Sequence, residues 1–586
     1  MQLETHTIRY RVATLCAALA LTTAATADAA PRQKRQPPAD LIVRNGLIHT
    51  MARPGEQVQA FAVRDGRYVA IGANAAIDRL VGPATRVVDL AGAMAMPGIN
   101  DVHAHPLDGA YEDLFACNVG ADSDLPRIVA RVADCASRAA PGDWIVGGAW
   151  SSTLLGQLST PAALAALDRA GAGHPVVLRD DSFHNRWANS AALRLAGITA
   201  ASVSPGNGVI DKDPTTGAPT GLLKEFAAFA TLEQAIPPRT DARQSQAAAA
   251  AGVTLASFGI TGVQDAYANE AMLRVWRQAD RDGKLPLHMV SSLPAMPAGG
   301  ADEAATRALL DGRRDYAGAH LHPTFAKLFL DGVPPARTAE FLTPYLPDQE
   351  HGAHFHGKSN FTRAQLADRL GALDREGIAV KLHATGDGSL RLALDAIEDV
   401  RKRNGMPGQR HQIAHASFIA DSDIGRFKRL NVTADISPML WYPTGPGMAI
   451  AAAIGAERAG RIFPVRSLVK AGALVAGGSD WPAGQSTPDP WLGIEGLVTR
   501  RDPLRRIPGA LWPEQAVDLD TALRIYTINS ATAMGLGATT GSIAPGKSAD
   551  FIVLNQNLYA VPSERLHETR VEHTYFQGRQ VYTRPR

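Results

Sequence analysis

The feature that most restricts how this chain can fold is an alternation of two textures. Short apolar runs stop at a polar residue, and each is followed by an Ala/Leu/Arg-rich stretch of helical character, such as Arg363 to Gly377 or Ser389 to Asn404. Apolar runs of this kind read as strands buried on both faces, and strands separated by helical crossovers pair in parallel. The span from residue 97 to 540 suits eight such units with insertions, so the expected class is α/β, built on a (β/α)₈ TIM barrel. Residues 108 to 250 are too many for one unit and are expected to form an inserted lid region.

The ends of the chain have a different texture. Leu41 to Val43 and Leu47 to Thr50 flank Asn45-Gly46, and Phe61 to Val63 and Tyr68 to Ile71 flank Asp65-Gly66; both are hairpin signatures. Asp550 to Leu554, Val571 to Tyr575 and Gln580 to Tyr582, with Gln577-Gly578 between the last two, repeat the style. Residues 40–96 and 541–586 are therefore expected to meet in one small β-sandwich.

Composition excludes some partners. The 586 residues carry 59 basic and 57 acidic side chains, well mixed, which gives no electrostatic footprint for nucleic acid or a membrane surface and favours a small-molecule ligand. A homo-oligomer stays open. Residues 1 to 30 hold Arg9 and Arg11, an Ala/Leu-rich stretch from Val12 to Ala25, and Ala27-Asp28-Ala29. That is the layout of a cleaved signal peptide, so the protein is expected to be exported, periplasmic or secreted; an N-terminal anchor is the alternative. The Leu before Cys16 is bulkier than a lipoprotein signal tolerates. Cys117 and Cys135 then remain, as one disulfide or as two buried thiols. They are too few for a thiolate metal site.

His103-Ala104-His105 follows an apolar run, and on a strand residues two apart face the same way. Both imidazoles would point into the barrel at its catalytic end. The pattern alone is weak, since 17 histidines in 586 residues give about half an occurrence by chance. Two more are present. His320-Leu321-His322 reads as a surface turn before a strand, and His354-Phe355-His356, with His351, as a solvated or pocket-lining loop, with a loose metal site as the alternative.

The rest of the series raises the first pair above these. Lys327 sits in the apolar run Phe325 to Leu330, where a cation is costly to bury. It reads either as an ion-paired lysine or as a neutral amine that captures CO₂, giving a carbamate able to bridge two metals. Lys381 is a rival because it shares a strand face with His383. His383 and His415 end successive apolar runs, and Asp480 follows Leu474 to Ser479. Asp265, Asp331 and Asp387 read as hydrogen-bonding supports or as structural groups. Trp150, His184, Trp441 and Trp481 are candidates for the substrate pocket, each weighed against a place in the core.

In this order the motifs resemble the amidohydrolase superfamily, in the large branch that includes N-substituted formamide deformylases. The matching stretches are Asp101 to His105, Asn189 to Leu193, Gly217 to Glu225, Gly259 to Ala266, Lys327 to Gly332, His383 to Asp387, His415-Ala416 and Gly478 to Asp480. They span nearly the whole chain from Asp40 to Tyr582. The resemblance implies that His103, His105 and Asp480 hold the more buried of two divalent metals, and His383 and His415 the more exposed one. Carboxylated Lys327, in preference to Lys381, would bridge them. Zn²⁺ suits these ligands, with Mn²⁺ or Fe²⁺ admissible. Two regions depart from the family. Ser151 and Ser152 stand where relatives often have Asp after Trp150, and Pro438 to Tyr442 replaces a Gln-Pro pattern.

The function expected is hydrolysis of an amide-like C–N bond, in an N-acyl or N-formyl amide, by hydroxide generated at the metal centre, with Asp480 carrying the proton to the leaving amine. A heterocycle deaminase or cyclic amidase on the same fold is the alternative enzyme. A binding or regulatory protein on a retired hydrolase fold is the alternative from another class.

Overall fold

The computed structural model describes residues 37–296, 302–348, 350–440 and 445–585. The proposed signal segment, Cys16 and Trp441 lie outside these residues. Eight strands form one parallel sheet in chain order: β1 (Ile99–Ala104), β2 (Ile260–Asp265), β3 (His288–Pro294), β4 (Leu321–Phe329), β5 (Ala379–Ala384), β6 (Gln412–His415), β7 (Thr433–Ile436) and β8 (Leu474–Gly477). Their apolar side chains are almost wholly buried, as strands covered on both faces require. Helices such as Arg363–Arg375 and Asp387–Asn404 make the crossovers, and the first is started by a capping box between Thr362 and Gln365. The fold is a (β/α)₈ barrel.

The barrel closes where β1 meets the residues after β8. Asp480 N–H donates to His103 O at 2.7 Å, His105 N–H to Trp481 O at 2.8 Å, and Ser479 N–H to the Asp101 carboxylate at 3.1 Å. Gly478 is required at this seam, because a Cβ there would stand 2.7 Å from His103 Cβ. The histidine pair and Asp480 are thus brought together by the same hydrogen bonds that shut the barrel.

Both chain ends contribute to two further sheets. A four-stranded sheet has the order 67–72, 60–64, 41–44, 86–89, and a six-stranded sheet the order 579–583, 571–576, 551–554, 94–97, 47–49, 57–58. Leu41, Ile48, Phe61, Tyr68, Phe551 and Tyr575 are among the residues that fill the space between them. The turns at Asp65-Gly66 and Gln577-Gly578 join paired strands, as their sequences predict. Asn45-Gly46 does not make a hairpin. Leu41–Arg44 pairs with residues 60–64 and 86–89, while Leu47–His49 pairs in the other sheet, so the turn carries the chain across the sandwich.

Between β1 and β2 lies a third mixed sheet of six strands, ordered 209–212, 219–224, 185–188, 176–180, 145–150, 117–118, with its own core. Cys117 and Cys135 form a disulfide that ties its edge strand to the helix Leu125–Arg138. His322 lies within β4 rather than in the turn before it, and His320 is held by Asp280 at 2.9 Å. Among the described residues no helix is long and apolar enough to cross a membrane.

Candidate metal centre and cavity

At the C-terminal end of the barrel strands opens a cavity of about 900 Å³, lined by His103, His105, Lys327, His383, His415 and Asp480 together with His184. Parallel barrels place ligand sites at this end, because each strand delivers its last side chains to a common space. His103 Nε2 and His105 Nε2 each lie 3.6 Å from Asp480 Oδ1, and His415 Nδ1 lies 3.6 Å from Asp480 Oδ2. Among the described residues, the only three ligand atoms found within 4.8 Å of one another belong to His103, His105 and Asp480. The rings of His383 and His415 follow at 4.6 Å between centroids, and those of His103 and His415 at 4.8 Å.

The backbone is held in uncommon conformations to achieve this. His415 has φ 66°, Asp480 φ 58°, and Phe183 and Glu225, which lie just beyond strands of the inserted sheet, φ 68° and 66°. Left-handed conformations of non-glycine residues cost energy and persist where surrounding structure enforces them.

Electrostatics suit a cation. Burial pulls His103 and His383 well below the ordinary histidine range and His415 down to about 3, so all three remain neutral with a lone pair to offer. Burial pushes Asp480 up, but the imidazoles of His105 and His415 and the nearby Lys327 outweigh it, and its pKa ends below the usual carboxylate value. His103 turns its other nitrogen to Asp435 Oδ2 at 2.9 Å, and His383 Nε2 is 3.1 Å from Gly332 O. These partners fix ring orientation, as supports of metal-binding histidines do. The donor set therefore fits a divalent ion at His103, His105 and Asp480, with His383 and His415 available to a second.

The two lysines have different environments. Lys381 Nζ is 2.5 Å from Asp435 Oδ2 and 3.0 Å from Val102 O, wholly buried under the cavity floor. Lys327 lines the cavity, has no hydrogen-bond acceptor among the described residues, and is brought down to about 7 by burial and by the neighbouring Lys381. Though almost fully buried, it is the amine that borders the cavity and is partly neutral at neutral pH.

Other expectations need correction. Trp150 is fully buried in the core of the inserted sheet, with Nε1 donating to Leu178 O at 3.1 Å, and does not line the cavity. Trp481 is also fully buried, packed against Gly109 behind the seam. Large aromatic rings fill cores as readily as pockets, and here volume decides. The loop with His351, His354 and His356 stays apart; His356 Nδ1 is 2.9 Å from Phe341 O. Asp331 accepts from Thr385 N, Gly386 N, Glu340 N and Ser389 Oγ, Asp387 from Leu342 N, and Asp265 from Trp276 Nε1. Sequence reasoning missed Asp435 and Asp101. A carboxylate inside an apolar strand is the signal that finds Asp435, by the reasoning that singles out Lys327.

The cavity roof comes from the inserted sheet. Gly484 N–H donates to Asp181 O at 2.6 Å, and Ser152 binds the Asp181 carboxylate. Phe183, Phe226, Phe229, Tyr267 and Phe329 give the walls aromatic surface, alongside charged groups such as Glu112, Arg179 and Arg239.

Comparisons with known proteins agree with the barrel fold. The model described as the amidohydrolase family matches residues 86–582. The chain is 29% identical over 561 residues to Protein LONG AFTER FAR-RED 3 of Arabidopsis thaliana, covering 93% of this chain and 92% of that one. It is 28% identical over 556 residues to the N-substituted formamide deformylase of Arthrobacter pascens, covering 93% and 98%. Among solved structures, an uncharacterized metal-dependent hydrolase from Pyrococcus horikoshii aligns with a TM-score of 0.69 at 25% identity, over 89% of this chain and 99% of that one.

Proposed function

This chain belongs to the amidohydrolase family, and on that premise we propose that it hydrolyses the C–N bond of a small N-acyl or N-formyl amide at a centre of two divalent ions. The observation that carries the reading is the convergence of His103, His105, His383, His415, Lys327 and Asp480 on one cavity. His103, His105 and Asp480 would hold one ion, His383 and His415 the other, and carboxylated Lys327 both. Imidazole and carboxylate donors suit Zn²⁺. When bound, such ions acidify water and polarise a carbonyl.

The protein's own groups then have definite tasks. Asp480, ionised at neutral pH and facing the cavity, accepts the proton of the attacking water and passes it to the departing amine. Asp435 and Gly332 O keep the His103 and His383 rings from turning. The aromatic part of the wall favours a substrate with an apolar portion. The Cys117–Cys135 disulfide supports an exported protein, since such bonds persist in oxidising compartments.

The test is a screen of the metal-loaded enzyme against N-formyl, N-acyl and peptide-like amides with apolar substituents. Release of amine and carboxylic acid is the expected result. Release of ammonia from heterocycles, without an acid product from amides, would replace this reading by deamination.

A further inference from the structure

His184 is the cavity histidine that the six-residue centre does not use. It sits on the turn between residues 176–180 and 185–188 of the inserted sheet and is 5% exposed, and its ring lies 4.8 Å from that of His383. Its Nδ1 is 2.8 Å from Glu225 Oε2, and Glu225 N–H donates to His184 O at 2.7 Å, so the two residues hold each other through side chain and main chain. Glu225 is itself fixed from the other side by Thr338 Oγ1, which the loop after β4 supplies and which accepts from Val333 N at 3.0 Å. No Cβ fits at Gly332, because Glu225 Oε1 and Thr338 Oγ1 already fill that space.

This is a costly arrangement for a structural histidine. A buried carboxylate and a left-handed backbone at Glu225 meet at the ring, and the glycine-only contact at Gly332 packs against that carboxylate. With Nδ1 turned into Glu225, the edge left for a bound molecule is Nε2, on a ring that lines the cavity beside the candidate metal ligands. Among the described residues Nε2 has no hydrogen-bond partner, and it is not among the enclosed polar atoms that lack one.

We propose that His184 is a catalytic residue of this cavity, its Nε2 hydrogen-bonding the scissile amide group, and that Glu225 is the positioning residue that aims it. The inference rests on the amide-hydrolase reading of the same site. It gives the insert a direct part in the reaction, since the turns and helix that flank its sheet supply His184 and Glu225 while the barrel supplies Thr338 to hold them.

The test compares metal-loaded wild type with His184→Ala, His184→Gln and Glu225→Gln. It uses benzohydroxamic acid, an amide mimic whose binding does not depend on turnover, and metal content by mass spectrometry. Wild-type metal content in all variants is expected, with the dissociation constant raised about tenfold or more in both His184 variants and less in Glu225→Gln, as loss of one hydrogen bond implies. For any amide the wild type cleaves, kcat/KM should fall at least as much. Unchanged hydroxamate affinity in a folded His184 variant overturns the proposal, as does loss of metal, which would make His184 a support of the ions. If the wild type cleaves no amide, the proposed activity fails, and the hydroxamate comparison still decides the role of His184.

Discussion

Lys381 Nζ and Asp435 Oδ2 stand 2.5 Å apart in the barrel interior, and the same carboxylate oxygen lies 2.9 Å from His103 Nδ1. One buried oxygen thus neutralises a lysine and orients a candidate metal ligand. Asp435→Asn should lower stability by about 3–5 kcal/mol, because it leaves a buried ammonium without its counter-charge. It should also weaken metal binding roughly 10–100-fold, because His103 loses its carboxylate. Adding Lys381→Met should restore much of the stability and none of the metal affinity. Denaturant unfolding and metal titration of the three variants measure both; recovery of metal affinity in the double variant would contradict this division of roles.

Lys327 gives a prediction with a sign. Its pKa of about 7, against 10.5 for an ordinary lysine, means that between these pH values the unfolded chain binds a proton that the folded state refuses. That contribution to stability is present above pH 10.5 and is lost as pH falls to about 7. Lys327→Met should therefore make the metal-free protein more stable at pH 7, by on the order of 2–5 kcal/mol, with the two proteins converging as pH rises towards 10. The same substitution should abolish binding of the second ion. Chelated samples unfolded in denaturant at both pH values provide the check.

Asp480→Asn should reduce turnover by at least about 10²–10⁴-fold through loss of the proton carrier. The fold should survive, because the seam bond at this position is made by Asp480 N–H and not by its side chain. Steady-state rates beside far-ultraviolet circular dichroism separate the two effects, and a variant with full activity would remove Asp480 from the mechanism.

The disulfide closes a loop with a sequence separation of 18. Replacing Cys117 and Cys135 by serine should cost about 3 kcal/mol, confined to the inserted sheet. Hydrogen exchange should rise in residues 117–224 and leave β4 to β7 unaffected; uniform loss of protection would show that the insert and the barrel unfold together.

Much of this design is legible in the sequence because it follows local rules. Apolar runs ending in His383, His415 and Asp480 betray strand ends, and Asp65-Gly66 betrays a turn, since periodicity and turn chemistry act over a few residues. Asp435 stands out locally only as a carboxylate in an apolar strand; its role was not legible, because it lies in partners 54 and 332 positions away. Asn45-Gly46 misleads for a related reason: the turn is local, but the strands it joins find their partners in different sheets. Trp150 and Trp481 show the same limit from the side of packing, where a large ring satisfies a core as well as a pocket.

The seam has a consequence for how the protein is made. The hydrogen bond from Ser479 to Asp101 joins residues 378 apart, so a ribosome exposes the histidine pair long before the strand that completes its surroundings exists. The full donor set exists only once Asp480 and the seam around it have been made and folded, so an ion held in the final geometry is taken up from the supply around the chain at that stage. Which metal such a centre would take is then decided by place as well as by ligand chemistry.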